Sequence, residues 1–299
     1  MINNIKYKDY CNKFKGYRTF LDSMINKYVS IPGVGNNYVP QGICKVKEYF
    51  LITFYDYTKI ANSIICVIDD SSKKFRIVYL DGKYHCGGIG YHEKSNSIYI
   101  TGSSMGNSSY INKYDCNDIL SKDKVYAKVK FRVDDNNTLK SSISGKSSVA
   151  YLFVLDNQIY LGNFSFKGDG RLKWYYLDDK GNLLIDSCFI LDNPYINTQG
   201  MCKYKYMGND YYLFSTSFGR KNDSIIYIAI LNNNKFKTIK KIRFPAMSEQ
   251  INVDKNGIVY IIFESGAYKY RGAKNRICDV CFFEFKKLLK DKKFKFFDR

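Results

Sequence analysis

His85, Glu249 and Glu264 are the side chains of this sequence best suited to moving protons. The chain has 299 residues and only two histidines, His85 and His92. His85 stands in Lys83-Tyr84-His85-Cys86-Gly87-Gly88, where the paired glycines permit a close backbone approach or a positive φ. An imidazole titrates near neutrality, at about 6.5 when unperturbed, so in a polar pocket it can serve as general acid or base. The competing account is a histidine bonded into the scaffold for rigidity. His92, in Gly90-Tyr91-His92-Glu93-Lys94-Ser95, reads as an exposed turn residue. Glu249 lies in Ser248-Glu249-Gln250-Ile251 and Glu264 in Phe263-Glu264-Ser265-Gly266. A carboxylate facing His85 across a channel would complete a proton-transfer pair. Asp56 is a weaker member of this set.

Around these acids and the imidazole, the neutral polar residues Gln41, Ser144, Gln199 and Gln250 are expected to hold a ligand. All can hydrogen-bond in either direction, which suits a small polar molecule or a peptide. The alternative is a water-filled hub in which they only satisfy neighbouring backbone groups.

What would bring them together is a repeat. Tyr49-Phe50-Leu51-Ile52-Thr53-Phe54-Tyr55 is echoed by the segments ending at Ser104, Ser165, Ser217 and Ser265, at spacings of 49, 61, 52 and 48 residues. Strand-forming residues recurring every ~50 positions mark a β-propeller, with one four-stranded blade per repeat. An earlier echo keeps step with it. Gln41-Gly42-Ile43-Cys44-Lys45 returns as Gln199-Gly200-Met201-Cys202-Lys203, with Cys86-Gly87-Gly88-Ile89, Ser144-Gly145-Lys146 and Glu249-Gln250-Ile251 at corresponding places. Preceding each blade's central strands, this echo belongs on the innermost strand, where it would converge on the central axis. Glu249 and Glu264 are acids present in one repeat only. Such a break in pseudo-symmetry is where function tends to show.

The fold expected is a single all-β, five-bladed β-propeller, with six blades as the fallback. Blades are expected near 38–83, 84–140, 141–194, 195–245 and 246–299. Residues 1–37 form an N-terminal segment in which Tyr17 to Ile31 has the spacing of a short amphipathic helix. The last repeat lacks an outer strand. Either the N-terminal segment or the tail Phe294-Lys295-Phe296-Phe297 could supply it and close the ring.

The net charge of +19 invites a polyanion reading. Against it, Lys far outnumbers Arg and is spread over every repeat, the profile of an AT-rich coding sequence rather than of selected phosphate forks. Nucleic acid is therefore disfavoured as a partner, and a monomer is expected. Nine cysteines, several in apolar strand contexts such as Cys66, read as reduced thiols. With no signal-peptide pattern and no membrane span, they point to a cytoplasmic protein. Cys278-Asp279-Val280-Cys281 is a lone pair without further ligands, so buried thiols are expected there rather than zinc. No cofactor is implied. Gly168-Asp169-Gly170 lacks the ligands of a calcium loop, and the phosphate-loop, dinucleotide and nucleophile-elbow motifs are missing.

The Gln41-Gly42-Ile43 and Gln199-Gly200-Met201 openings, with Phe263-Glu264-Ser265-Gly266, resemble motifs of the five-bladed plant-type glutaminyl cyclases. That family carries a Gln-Gly-Leu opening followed by a Glu-Ser-Thr-Gly segment. Its Glu-Gly-Ile acid segment is replaced here by Cys86-Gly87-Gly88-Ile89, which has no acid. Val39-Pro40-Gln41-Gly42 with His85-Cys86-Gly87-Gly88 is similar to a group of uncharacterised bacterial propeller proteins. Both likenesses imply the fold and carry no reaction across. The function expected is ligand binding in a central polar pocket, with acid/base catalysis of cyclase, hydrolase or lyase type. The alternative is a non-catalytic module gripping a protein, glycan or polyanion.

Overall fold

The computed structural model describes residues 27–31, 33–102, 110–133, 149–168 and 170–290. Its strands form five four-stranded antiparallel sheets, so the chain is a five-bladed β-propeller. The first blade holds β2 (Tyr38–Val46), β3 (Tyr49–Asp56), β4 (Ile64–Asp69) and β5 (Phe75–Tyr79). The second holds β6 (Ile89–His92), β7 (Ser97–Thr101), β8 (Tyr110–Asp115) and β9 (Val129–Arg132). In the third are β10 (Tyr151–Leu155), β11 (Gln158–Gly162), β12 (Gly170–Leu177) and β13 (Leu183–Asn193). The fourth comprises β14 (Thr198–Tyr206), β15 (Asn209–Thr216), β16 (Ser224–Asn232) and β17 (Lys235–Phe244). The fifth is built from β18 (Ser248–Val253), β19 (Ile258–Phe263), β20 (Asp279–Glu284) and, from the other end of the chain, β1 (Lys27–Ser30).

β1 runs antiparallel to β20, with Lys27 opposite Phe282 and Ser30 opposite Asp279. This pairing supplies the outer strand of the last blade. Residues 291–299 lie outside the described residues. The helical spacing read into Tyr17 to Ile31 fails over its last turn. Lys27-Tyr28-Val29-Ser30 is strand, because an open sheet edge offers its backbone a full ladder and Tyr and Val suit a pleated surface.

Burial falls from hub to rim. In β3, Phe50 through Asp56 are all buried, on both faces, because each blade is sandwiched between its neighbours. The rim strand β17 alternates and leaves most of its lysines in water. Apolar layers fill the seams between blades. One joins Phe50, Ile52 and Phe54 of the first blade to Tyr260, Ile262 and Phe282 of the fifth. Another joins Leu51 and Val67 to Ile89, Ile98 and Tyr114 of the second.

Two short helices interrupt the sheets. α1 (Cys116–Ser121) follows β8 and is capped by Asp115, whose carboxylate accepts from the amides of Asn117 and Asp118. α2 (Phe285–Lys290) follows β20 and buries Phe285 and Leu288. Among the described residues no helix is long and apolar enough to cross a membrane. Seven cysteines, Cys281 among them, are free thiols, whereas Cys278 is disulfide-bonded. The expectation of wholly reduced thiols therefore fails at Cys278.

Candidate functional site

The inner strands β2, β6, β10, β14 and β18 pack each against the next around the axis. In three of them the polar echo coincides with an irregularity of register. The pairing slips between Pro40 and Ile43, between Thr198 and Gly200, and between Ser248 and Ile251. Gln41-Gly42, Gln199 and Glu249-Gln250 are thus bulge residues. A bulge breaks the strand's in-and-out alternation and re-aims its side chains, which turns these groups toward the hub or its mouth.

Glycine recurs here for want of space. A Cβ on Gly200 would come within 2.7 Å of the Gln250 Cα, and one on Gly88 would strike the backbone of Leu152 and Tyr151 in the next blade. The hydroxyls of the second strands brace the same level. Thr53 Oγ1 accepts from the Gly42 amide and donates to the Cys86 carbonyl, both at 2.8 Å. Ser215 Oγ meets Ser248 Oγ at 2.8 Å.

Gln250 fills the hub. Its Oε1 accepts from the amides of Ile43 (2.8 Å) and Ile89 (3.0 Å), while Nε2 donates to the carbonyls of Ile89 and Leu152, each at 2.9 Å. One fully buried side chain of the fifth blade thereby ties down the first, second and third. Its amide has no bond left over for a ligand. Gln199 is half-buried on β14, and Ser144 lies outside the described residues.

At the mouth, the carboxylates gather. Glu264 caps the end of β19 in a short 3-10 turn, Glu264–Gly266, and its amide donates to the Met247 carbonyl at 3.0 Å. Gln41 Nε2 donates to Glu264 Oε1 and, at 2.9 Å, to its own neighbour Pro40. The Tyr270 hydroxyl also bonds Glu264. Glu249 is 3% exposed. Burial drives its pKa far up, and the Glu264 charge adds to the effect. Glu264 is pushed up to about 7 by burial, held from going higher by the Lys269 charge and the bonds from Gln41 and Tyr270. Two carboxyls that cannot both ionise cheaply share protons as a pair.

His85 stands apart from that pair. Tyr55 lies between, its ring tilted against the imidazole at a centroid distance of 4.6 Å. The Tyr55 hydroxyl accepts from Lys269 Nζ at 2.8 Å and lies 3.5 Å from the Tyr270 hydroxyl. Burial and, after it, the Lys269 charge depress His85 to about 4, so the imidazole is neutral near pH 7. Of the expected proton carriers, the one held near neutrality is Glu264. Burial, and then the Glu264 charge, raise both tyrosine hydroxyls, leaving them protonated as hydrogen-bond donors.

His92 corrects another expectation. It is 1% exposed at the end of β6, with Nδ1 2.7 Å from Ser95 Oγ and Nε2 3.1 Å from Asn157 Oδ1. A turn-like sequence conceals that the third blade covers it. Asp56 spends both oxygens on its own loop, accepting from the amides of Thr58, Ile60 and Ala61. The sequence reading missed Tyr55, Lys269 and Tyr270. Tyr55 was findable, since it stands where the other four repeats carry Ser. Lys269 and Tyr270 lie on the excursion between β19 and β20, which has no counterpart in period or composition.

Beside the mouth a cleft of ≈ 340 Å³ opens between the first two blades, walled by Tyr55, Tyr57, Tyr84 and His85, with Lys59, Lys83 and Lys269 at its edge. Among the described residues no group of three or more His, Cys, Asp or Glu converges as metal ligands do.

No protein-family model matches the chain. No curated protein matches it either. The glutaminyl-cyclase likeness of the Gln-Gly openings thus finds no support beyond the shared architecture. Among solved structures, the chain is similar to the Kuenenia stuttgartiensis hydrazine synthase, at 6% identity and a TM-score of 0.42. That match covers 79% of this chain and spans 57% of the other.

Proposed function

We propose that this propeller is an acid/base enzyme acting on a small polar molecule or peptide bound at the hub mouth. The reading rests on one observation: the buried Glu249 and Glu264 carboxyls, with Glu264 gripped by Gln41 from the opposite end of the chain. Near neutral pH Glu264 exists in both protonation states, which suits a group that must give and take a proton in turn. Glu249 keeps the pair from ionising fully. Gln41 and Tyr270 fix the Glu264 carboxyl, while Tyr55 and neutral His85 offer hydrogen bonds to the bound molecule. Gln199, half-buried on a bulge, orients its far side. Cyclisation, hydrolysis and elimination all need such a proton carrier beside polar donors.

A second reading, a non-catalytic interaction module, draws on the rim of the third blade. There Leu184, Ile185, Phe189 and Ile190 of β13 are exposed. The deciding experiment is turnover of a peptide and metabolite panel by wild type, Glu264→Gln and Glu249→Gln. Conversion by wild type that both variants lose supports the enzyme. Binding without conversion, equal in all three, supports the module.

A further inference from the structure

The cleft beside the mouth carries the opposite charge from the carboxylate pair. Lys59 and Lys83 are exposed at its edge and Lys269 half-buried in its wall. Among the described residues none of the three ammonium groups comes within 4.0 Å of a carboxylate, although lysines elsewhere on the surface do, such as Lys203 on Asp210. Among the described residues the cleft's only carboxylate is Asp56, and both its oxygens accept from the loop that carries it. Lys59 and Lys83 thus face only an anion already committed, and Lys269, beyond 4.0 Å of any described carboxylate, feels the Glu264 charge at longer range.

Lys269 is also held in place. Its Nζ lies 4.9 Å from the Tyr270 ring centroid, 5.2 Å from Tyr55 and 5.8 Å from Tyr57, besides donating to the Tyr55 hydroxyl. An ammonium has three donors, so two remain for a ligand. Fixing the side chain beforehand removes much of the entropy an anion would otherwise have to overcome on binding. At ≈ 340 Å³ the cleft is at the small-molecule end of the usual range of about 300–1,000 Å³.

We infer that the cleft binds the anionic end, carboxylate or phosphate, of the molecule whose reacting part reaches Glu264. This rests on the acid/base reading for the second half of the sentence only. Tyr55 links the two regions: its ring packs on His85 in the cleft wall, and its hydroxyl meets both Lys269 and Tyr270, the latter bonded to Glu264. The tyrosine walls fit a flat or apolar link between the charged end and the reacting group.

The test is calorimetric titration of the intact chain with inorganic phosphate and, separately, with succinate. Saturable binding of either, one per chain, is expected. Lys59→Gln with Lys83→Gln, both exposed and safe for folding, should weaken it by about tenfold or more, and Lys269→Met likewise. Lys235→Gln with Lys237→Gln on the rim serves as control and should change nothing. Preference for phosphate or for succinate tells which anion the site was built for. Absence of saturable binding, or an equal loss in the rim control, overturns the inference. Glu264→Gln should keep its anion affinity. If it keeps that affinity and also keeps turnover, the acid/base reading fails while the anion site stands.

Discussion

Gln41 donates its side-chain amide to Glu264 across the seam between the first and fifth blades. The bond joins a bulge residue of one inner strand to the turn that ends the second strand of another. It does two things. It favours the ionised form of Glu264 against burial, and it couples the carboxylate to closure of the ring.

The pH dependence of stability carries opposed contributions, Glu249 and Glu264 with raised values on one side and His85 with a lowered value on the other. Glu264 has a folded value of about 7 against an ordinary 4.5, so the folded state holds the proton more tightly and stability is lost as pH rises through that window. His85, at about 4 against 6.5, acts the other way: the unfolded chain takes the proton first, and stability is lost as pH falls. Relative to wild type, Glu264→Gln should gain stability between pH 5 and 8, by roughly 3 kcal/mol at most. His85→Asn should gain it instead toward pH 4. Melting curves across this range check both; variants that simply parallel wild type would refute the protonation scheme.

Tyr270→Phe removes a hydrogen bond that favours the Glu264 anion. The carboxyl should then titrate higher, by about half a unit to one unit, and any acid limb of activity should move with it. Carboxyl-carbon NMR of Glu264 reads this directly. Tyr55→Phe, which leaves that bond in place, should displace it less, and equal displacements would argue against the arrangement.

Gln250 is expected to behave as a fastener and not as a ligand group. Gln250→Met abandons four hydrogen bonds to three blades and should cost about 2–4 kcal/mol in urea unfolding. Gln250→Glu should be worse, because it buries a negative charge with one carboxylate oxygen set against the Ile89 and Leu152 carbonyls. A loss below about 0.5 kcal/mol, within ordinary surface scatter, would be inconsistent with this role.

Two glycines separate crowding from backbone strain. Gly88→Ala drives a methyl into the backbone of the third blade and should unfold the chain far more readily than Gly208→Ala. Gly208 has a φ of +80° and open space around it, so alanine there should cost only about 1 kcal/mol. Comparable losses at both positions, compared by chemical denaturation, would show that the seam can yield.

The propeller was legible because blades must stack, and stacking demands the same buried pattern about every fifty residues. Gln41, Glu249 and Glu264 were legible for a related reason: a bulge at a repeated place, and an acid in one copy only, both stand out against the period. Gln250 was found by the same signal but its work was not, since nothing in Glu249-Gln250 tells which of two adjacent bulge residues turns inward. Lys269 and Tyr270 escaped because a non-repeating excursion leaves no register to compare. Burial of His92 depends on Asn157 of another blade, a contact no local pattern encodes.

The pairing of Lys27 with Phe282 also has a bearing on how the protein is made. Chains emerge from the ribosome in order, and their early parts begin to fold first. Blades one to four can form as they appear, but the fifth needs both an early strand and the last ones. Glu249 and Glu264 belong to that fifth blade, and the Gln41 that holds Glu264 waits on the first. A nascent or prematurely stopped chain would carry most of the scaffold without the assembled Glu249–Glu264 pair. The Gln41–Glu264 contact can form only once synthesis has passed β19, and the closed ring only once it has passed β20.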